Sequence, residues 1–422
     1  ALWGKVEEYC VNDVIATEAV FKARKQDFVA REILAELSGL SVNHSTQAHT
    51  ARIIFGNDKD FKDRFIYTDL SKIFPGYNFD GKESTYCGEV TGEGGYVYAE
   101  TGIYENVALL DVASMHPTSI ELLELFGPYT SKFSDLKTAR MAIKHKDLKR
   151  ASTLLDGKLA PFLGDDKDAE ALAYALKIVI NIVYGLTSAR FDNPFRDNRN
   201  RDNIVAKRGA LFMIDLKRAV QERGFQVVHI KTDSIKIPNA TPEIIQFITD
   251  FGKDYGYDFE HESTYEKFCL VNDAVYVALE GGHWTAVGAQ FQHPYVYKTL
   301  FSKEELTFDD FCEPKSVLQG IMYLDFIGNA DLDEMRHVGR TGVFVPVAEG
   351  GGDLYRVKEE KLYAVTGTKG FKWVEKDVAK ARLDDGYSVE DIIDKAYFKA
   401  LIDKAIDTIN EFGSFEAFVG RN

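Results

Sequence analysis

The chain has 422 residues, 45% of them hydrophobic and 28% charged, a composition that excludes intrinsically disordered, collagen-like and coiled-coil proteins. This length is too great for one hydrophobic core and predicts two or three substructures. The formal net charge is −15, so any binding of nucleic acid would depend on basic residues that are concentrated locally. No apolar run approaches the length that spans a bilayer, so we expect no contact with a membrane.

The cysteines and the amino terminus add two expectations. The four cysteines lack the spacing of a zinc site or of a disulfide framework, and we expect them to be reduced in an intracellular protein. The first residues include neither an initiator methionine nor the features of a signal peptide, so we expect a chain cut from a longer one.

Hydrophobic periodicity and turn residues predict helices inserted between the strands of a small sheet. In chain order they predict a helix over 6–36, a glycine- and aromatic-rich region to 106, a buried strand over 107–110, helices over 134–155, 167–186 and 203–223, a hairpin over 227–238 and a helix from Thr241. A further helix is predicted from Ser388, which forms a capping-box pattern with Asp391. This arrangement is typical of the α+β class.

Positive charge is concentrated in two stretches. Between 131 and 158, eight basic residues are opposed by three aspartates. A second group consists of Arg190, Arg196, Arg199, Arg201, Lys207 and Arg208. Basic residues on a helix are most often a solvated face, so these stretches alone are weak evidence for phosphate binding.

Two aspartates follow predicted buried strands. Asp111 ends the strand over 107–110, and Asp233 lies at the tip of the predicted hairpin. A carboxylate in such a position costs free energy unless it is compensated, and a divalent cation compensates two that converge. Taken singly, each aspartate is better explained as the cap of a turn.

Polar residues share one face on each of two predicted helices. Lys177, Asn181 and Tyr184 are spaced by four and three residues on an apolar helix, and Arg140 and Lys144 are one turn apart on the preceding helix. Cations on two helices, together with metal-binding carboxylates, are the elements of a triphosphate site. The alternative is two unrelated solvated faces.

These residues resemble motifs of the family B DNA polymerases. Asp111-Val-Ala-Ser-Met-His-Pro117 resembles the first palm motif, Asp-x-x-Ser-Leu-Tyr-Pro. Lys177-Ile-Val-Ile-Asn-Ile-Val-Tyr-Gly185 matches the fingers motif Lys-x-x-x-Asn-x-x-Tyr-Gly. Lys231-Thr-Asp-Ser234 resembles the second palm motif, Asp-Thr-Asp-Ser, without its first Asp.

Three shorter fragments occur in the order that the family has them. Arg140 and Lys144 match the Arg-x-x-x-Lys pair of the first fingers helix. Gly94-Gly95-Tyr96-Val97 resembles the Gly-Gly element between the exonuclease and polymerase halves, and Tyr9-Cys-Val-Asn-Asp13 resembles the last exonuclease motif, Tyr-x-x-x-Asp. The resemblance covers about 5–280, and 281–422 contain no motif of the family that we identify.

The resemblance implies an α+β right-hand polymerase with an antiparallel palm sheet, two-helix fingers and a thumb-like C-terminal region. It implies an exonuclease remnant at 1–27, a connection and first palm segment at 28–125, fingers at 126–186, a second palm segment at 187–280, and a thumb and C-terminal module at 281–422. The resemblance implies a phage-like polymerase, and we expect the protein in the cytoplasm of a bacterial or phage-infected cell.

The implied activity is template-directed DNA synthesis by two-metal nucleotidyl transfer, with primer–template DNA and dNTPs as partners and two Mg²⁺ ions, replaceable by Mn²⁺, as cofactors. Asp111, Asp233 and the carbonyl of Val112 would hold the metals. The implied nucleotide-binding residues are Ser114, Met115, His116, Arg140, Lys144, Lys177, Asn181 and Tyr184. The implied DNA-binding residues are Gly94, Gly95, Tyr96, Lys231, Thr232 and Tyr276.

Two departures from the family pattern change these expectations. At His116 the family has a Tyr that blocks the ribose 2′-hydroxyl, and because an imidazole is shorter we expect ribonucleotide exclusion to survive in weaker form. Asp13 stands without the other exonuclease carboxylates, so we expect no 3′–5′ nuclease unless an upstream exonuclease segment or a separate subunit is a partner. Only 186–230 lie between the fingers and second palm motifs, so we expect an ordinary primer terminus rather than a protein primer.

A further departure concerns the primer end. Placing Phe259-Glu-His-Glu262 and Tyr265 on the family pattern aligns Asp273-Ala-Val-Tyr276 with Lys-Lys-x-Tyr, whose second Lys and Tyr hold the primer. We expect Lys231 to reach the space at Ala274, the alternative being that Lys231 points to solvent. The alternative to an active enzyme is a catalytically inactive, polymerase-derived DNA-binding subunit.

Overall fold

The computed structural model describes residues 2–359 and 361–420. Residue 1 of the first predicted segment and residues 360, 421 and 422 of the last lie outside the described part. Runs of helices and runs of strands follow one another along the chain, a mixed arrangement that fits the predicted α+β class. Each strand pair whose register is described is antiparallel.

The chain divides into two compact units. The first comprises the chain up to Tyr98, Leu110–Ile235 and Thr241–Glu262, and the second comprises Ala99–Leu109, Lys236–Ala240 and the chain from Ser263. This division does not test the five predicted segments, which stay predictions.

The helices of the described residues are α1 Leu2–Ala23, α2 Lys25–Ser38, α3 Thr46–Phe55, α4 Met115–Leu122, α5 Thr130–Lys144, α6 Leu148–Thr153, α7 Asp166–Ser188, α8 Ile204–Glu222, α9 Pro242–Asp254, α10 Ala289–Gln292, α11 Pro294–Tyr297, α12 Lys376–Asp384, α13 Val389–Ile392, α14 Lys395–Asn410 and α15 Phe415–Val419. The strands are β1 Asn78–Phe79, β2 Ser84–Tyr86, β3 Glu89–Val90, β4 Val97–Ala99, β5 Gly102–Val112, β6 His229–Lys231, β7 Ser234–Pro238, β8 Phe259–Asn272, β9 Val275–Glu280, β10 His283–Val287, β11 Glu313–Ser316, β12 Ile321–Asp325, β13 Arg336–Gly339, β14 Thr341–Val347, β15 Asp353–Lys358, β16 Lys361–Ala364 and β17 Lys372–Glu375.

The strands form four sheets in the described part of the chain. The largest has seven strands in the order β10-β9-β8-β5-β7-β6-β4, in which the predicted hairpin is the neighbouring pair β6 and β7. A small sheet has the order β1-β2-β3, and two more have the orders β11-β14-β17 and β13-β12-β15-β16.

Helices α7 and α8 form where the sequence predicts them. The Asp165 side chain caps α7 by accepting the Asp168 amide at 2.8 Å. The Asn203 side chain caps α8, and Gly224 follows that helix with a φ of 81°, which only glycine adopts without cost. The buried side of α7 is mostly apolar, whereas α8 also buries Lys207, Arg208 and Lys217 among its apolar residues. Helix α7 contacts α2, α3, α4 and α5.

Two other predicted helices are each divided in two. The opening helix breaks at Arg24 into α1 and α2. The helix expected over 134–155 begins earlier, so Ser134 lies inside α5 instead of capping it, and the helix ends at Lys144. Lys146 takes a positive φ of 61° there, and the Asp147 side chain starts α6 by accepting the Arg150 amide at 3.0 Å. This cap competes with continuation of the helix.

The second unit contains the region for which the sequence offered no family motif. One of its hydrophobic clusters surrounds Trp373, which is fully buried, and another contains Phe291 and Phe415. The predicted capping box of Ser388 and Asp391 is present, but α13 ends after one turn.

In the part of the chain that the structure describes, α7 alone is long and apolar enough to cross a membrane by length and composition. A core helix of a globular protein passes the same test.

Candidate active site

The predicted metal carboxylate Asp111 comes just before a tight strand-to-helix turn. β5 ends at Val112 and α4 begins at Met115, with Ser114 between them at φ 56° and ψ 50°. A non-glycine residue in this left-handed conformation costs about 1–2 kcal/mol. Gly209 of α8 makes room for the turn, because a Cβ there would lie 2.5 Å from the Met115 sulfur. The predicted phosphate-binding amides of residues 114–116 therefore lie at the N-terminus of α4, where anions are favoured.

Asp111 and Asp233 lie on neighbouring backbone segments. The Val112 amide donates to the Asp233 carbonyl at 2.9 Å, so the two aspartates lie within one residue of the same hydrogen bond. Both side chains are half-buried. In residues 2–359 and 361–420, no three His, Cys, Asp or Glu side chains group as metal ligands. Two carboxylates and a backbone carbonyl nevertheless fit Mg²⁺, which commonly takes one or two carboxylates together with substrate phosphates.

A third carboxylate, Asp258, was not singled out by the sequence. Its carbonyl accepts the Ala113 amide at 2.9 Å, and its exposed side chain lines a cleft of about 210 Å³ with Ser114 and Thr118. Lys137 also lines this cleft, but it is engaged in an ion pair with Glu121. No sequence motif marks Asp258, because its position depends on how α9 and β8 fold back toward the turn.

The glycine-rich segment 92–96 contacts the tip of the β6–β7 hairpin. The Thr232 amide donates to the Tyr96 carbonyl at 2.9 Å, and Thr232 has a positive φ of 59°. A Cβ on Gly95 would lie 2.8 Å from the Thr232 methyl carbon, whereas a Cβ on Gly94 would meet nothing within 4 Å. Gly95 is therefore required for this close approach, and the segment supports the backbone that carries Asp233.

The Tyr96 side chain serves as an anchor inside the first unit. It is 2% exposed, and its hydroxyl donates to the Glu89 carboxylate and accepts from the Lys217 ammonium at 2.6 Å. Burial raises the pKa of the Tyr96 hydroxyl, and the hydrogen bond to Glu89 adds to the increase. The DNA contact expected of Tyr96 stays a prediction, and its side chain has almost no accessible surface for it.

Most of the second basic stretch is engaged within the protein. Lys207 and Arg208 of α8 are 4% and 7% exposed, and they donate to the carbonyls of Gly92 and Tyr255. Arg199 pairs with Asp197. The expectation that this stretch supplies local positive charge is thus wrong for Lys207 and Arg208, because the packing of α8 buries both side chains.

The predicted triphosphate-binding cations line one cleft between α5 and α7. Arg140, Lys144 and Lys177 lie in a cleft of about 430 Å³, which Lys146 also lines. Asp166 and Glu170 are present at the same cleft, but among the described residues none of the four cations has a carboxylate within ion-pair distance, 4.0 Å. Cations that converge without carboxylate partners favour an anionic ligand. Asn181 is exposed one turn beyond Lys177.

His116 and Tyr184 stack on each other. Their ring centres are 3.9 Å apart and their planes differ by 10°. Burial lowers the pKa of His116 to about 4, and its Nδ1 atom is buried without a hydrogen-bond partner among the described residues. The stack joins the turn after β5 to α7, so it brings together two positions that the sequence assigned to nucleotide binding.

Lys231 and Tyr276 belong to different units. Lys231 is exposed at the hairpin tip, and Tyr276 is half-buried on β9. The expected approach of Lys231 to Ala274 stays a prediction. Sequence reasoning missed Lys236, which is 3% exposed and has its Nζ atom 5.4 Å from the centre of the Tyr276 ring. The available signal was a lone cation between Ile235 and Ile237.

A scan against known protein families finds no match, and a search of curated proteins finds none. Among solved structures, the family B DNA polymerase from the hyperthermophilic archaeon Pyrobaculum calidifontis is similar, with a TM-score of 0.47 and 13% sequence identity. The alignment covers 96% of this chain and 56% of that polymerase, so the chain spans little more than half of its length.

Proposed function

We propose that the chain is a DNA-directed DNA polymerase that adds dNTPs to a primer 3′ end. The observation that carries the proposal is the cleft between α5 and α7, where Arg140, Lys144 and Lys177 converge without carboxylate partners in the described part of the chain. A triphosphate supplies anionic partners for these cations, since Asp166 and Glu170 at the same cleft form no ion pair with them among the described residues. Asp111 and Asp233 supply the carboxylates that would hold the metal ions needed for nucleotidyl transfer.

The residues take the following roles in this proposal. Arg140, Lys144 and Lys177 bind the triphosphate and neutralise the charge that develops during transfer, and Asn181 helps to orient it. The amides of residues 114–116 bind phosphate oxygens at the N-terminus of α4. His116 and Tyr184 contact the sugar and the base of the incoming nucleotide. Two Mg²⁺ ions, held by Asp111, Asp233 and the Val112 carbonyl, would supply activation of the primer hydroxyl and stabilisation of the leaving pyrophosphate.

Mg²⁺-dependent primer extension tests this function. The parent chain should extend a labelled primer by template-directed steps, Asp233→Ala should abolish extension, and Asp254→Ala, an exposed carboxylate at the end of α9, should leave it unchanged. Mn²⁺ should replace Mg²⁺. DNA binding without extension would instead support the alternative, a polymerase-derived DNA-binding subunit.

A further inference from the structure

Lys146 follows the end of α5 in a backbone conformation that favours glycine. Its φ is 61°, in the left-handed region. The Lys146 amide donates to the Ile143 carbonyl at 2.9 Å, and the Asp147 amide donates to the Ala142 carbonyl at 2.8 Å. This pair of hydrogen bonds ends many helices, and the residue at the left-handed position is usually glycine because it has no Cβ. A lysine at this position is therefore less stable than a glycine would be.

The two helices that form the cleft lead away from α4. On α5, the Lys137 ammonium donates to the Thr118 hydroxyl of α4 at 2.9 Å, and Lys146 lies beyond the C-terminal end of the helix. On α7, Tyr184 stacks on His116 of α4, and the residues that line the cleft lie toward the N-terminal end. All of these residues belong to the first unit. Lys146 consequently lines the end of the cleft that is furthest from α4.

This outer end of the cleft carries charges of both signs. Lys146 is exposed there, and the exposed carboxylates of Asp166 and Glu170 on α7 line the same end. In the part of the chain that the structure describes, Lys146 forms no ion pair with either of them. A phosphate group that reached this end would be repelled by both carboxylates and attracted by the Lys146 ammonium.

We propose that Lys146 is a further phosphate-binding residue of the cleft and contacts the phosphate of a nucleoside triphosphate that lies furthest from the sugar. The inference rests on the proposed function and adds a residue outside the motifs described above. With the sugar at His116 and Tyr184, the phosphate chain extends along the cleft toward Lys146. The contact between the ammonium and the terminal phosphate offsets the cost of a lysine in the left-handed conformation.

Lys146→Gly tests the inference, because the same change should raise stability and lower affinity. Glycine adopts a φ of 61° without strain, so we expect the melting temperature to rise by about 2 °C. The Kd for dATP, measured by calorimetric titration with Mg²⁺ and without DNA, should weaken by about fivefold. The Kd for dADP should change by less than about twofold, since a diphosphate does not extend as far as Lys146.

Three further variants separate phosphate binding from an effect on the fold. Lys303→Gly is the matched control, because Lys303 is an exposed lysine with a φ of 60° that does not line the cleft. This change should relieve a similar strain and leave both Kd values unchanged. Lys146→Asn removes the charge but tolerates the left-handed conformation, and it should weaken dATP binding as Lys146→Gly does. Lys146→Arg keeps the charge and should keep most of the affinity for dATP.

Failure of this inference and failure of the proposed function give different results. A parent chain that extends primers, with a Lys146→Gly variant that binds dATP as tightly as the parent does, overturns the inference alone. Equal weakening of dATP and dADP binding also overturns it, because Lys146 would then not act on the terminal phosphate. A parent chain that binds dATP but does not extend primers refutes the proposed function, and loss of dATP affinity in Lys146→Gly would still support the phosphate contact. A parent chain that does not bind dATP overturns both.

Discussion

At the scale of single residues, His116 is held uncharged by its surroundings. Stacking on Tyr184 at 3.9 Å and burial of Nδ1 remove the imidazole from water, and burial lowers its pKa to about 4. A buried polar atom without a partner costs about 1–3 kcal/mol. Despite this cost, burial leaves His116 as a small, uncharged ring at the proposed contact with the nucleotide.

The lowered pKa predicts a loss of stability in acid. In the unfolded chain, His116 becomes protonated as the pH falls below its ordinary pKa of 6.5, whereas in the folded chain it stays neutral down to about pH 4. The free energy of unfolding therefore decreases as the pH falls through this window. His116→Phe keeps a ring but cannot be protonated. We expect the loss of unfolding free energy between pH 7.5 and pH 5 to be smaller in His116→Phe by about 2 kcal/mol. Urea titrations of both proteins at the two pH values measure it, and equal losses would contradict it.

His116 also predicts a modest preference for deoxyribonucleotides. Because the imidazole is shorter than a phenol, His116→Tyr should raise the discrimination between dNTP and rNTP by about tenfold or more, mainly through a lower kcat/KM for rNTP. Single-nucleotide incorporation with both substrates provides the ratio, and His116→Phe, which has no hydroxyl, is the matched control. An unchanged ratio in His116→Tyr would refute the assigned contact.

At the scale of elements, the segment 92–96 controls the hairpin that carries Asp233. A Cβ on Gly95, at φ 150°, would lie 2.8 Å from the Thr232 methyl carbon. We expect Gly95→Ala to displace the hairpin that carries Asp233 and to lower kcat for primer extension by about tenfold. A displacement of about 1 Å at a catalytic group can lower the rate by about 100-fold, so a smaller shift is enough for this effect. Gly94→Ala, where a Cβ meets nothing within 4 Å, is the control and should stay near the parent rate.

A second variant tests the cause of the Gly95→Ala effect. Thr232→Gly removes the side chain that the new methyl group would meet, and glycine also tolerates the φ of 59° at that position. The double variant should therefore recover part of the lost rate. No recovery would assign the effect to the backbone of Gly95 itself.

The cleft between α5 and α7 predicts how nucleotide affinity depends on charge. Lys177→Ala and Arg140→Ala should each raise the KM for dNTP by about tenfold and leave the Kd for primer–template DNA within about twofold, because the lost cations contact the triphosphate. Lys149→Ala removes an exposed lysine that does not line the cleft and is the control. Steady-state kinetics and DNA-binding titrations measure the two effects, and equal changes in the DNA affinity would contradict the assignment.

Sequence reasoning succeeded where a local pattern specifies the structure. The apolar period and the caps of α7 and α8 specify those helices, so the shared face of Lys177 and Asn181 followed from spacing alone. It failed where long-range packing decides. The burial of Lys207 depends on the segment that folds over α8, and the position of Lys236 beside Tyr276 depends on strands distant in sequence. No short sequence pattern indicates the burial of Lys207 or the position of Lys236.

At the scale of the whole molecule, an acidic protein presents its positive charge in few places. The net charge is −15, and burial of Lys207 and Arg208 removes two cations that would otherwise contribute to a basic surface. The ion pair with Asp197 offsets the charge of Arg199. The cleft between α5 and α7 therefore accounts for more of the exposed positive charge than the number of basic residues in the sequence suggests. An anionic substrate would be attracted to that cleft over the rest of an acidic surface, which repels it.

The proposed polymerase and the partial exonuclease motif predict opposite activities at a primer 3′ end. Tyr9 and Asp13 are exposed and one turn apart on α1, and a single carboxylate does not hold the two metal ions of a nuclease. With Mg²⁺ and without dNTP or pyrophosphate, a 3′-labelled primer should stay intact over a period in which the same preparation with dNTP extends it fully. Asp13→Ala should behave as the parent does in both reactions. Degradation that Asp13→Ala abolishes and Asp233→Ala does not would show that the chain carries a working nuclease, because that pattern separates removal of the terminal nucleotide from any reversal of synthesis at the proposed polymerase site.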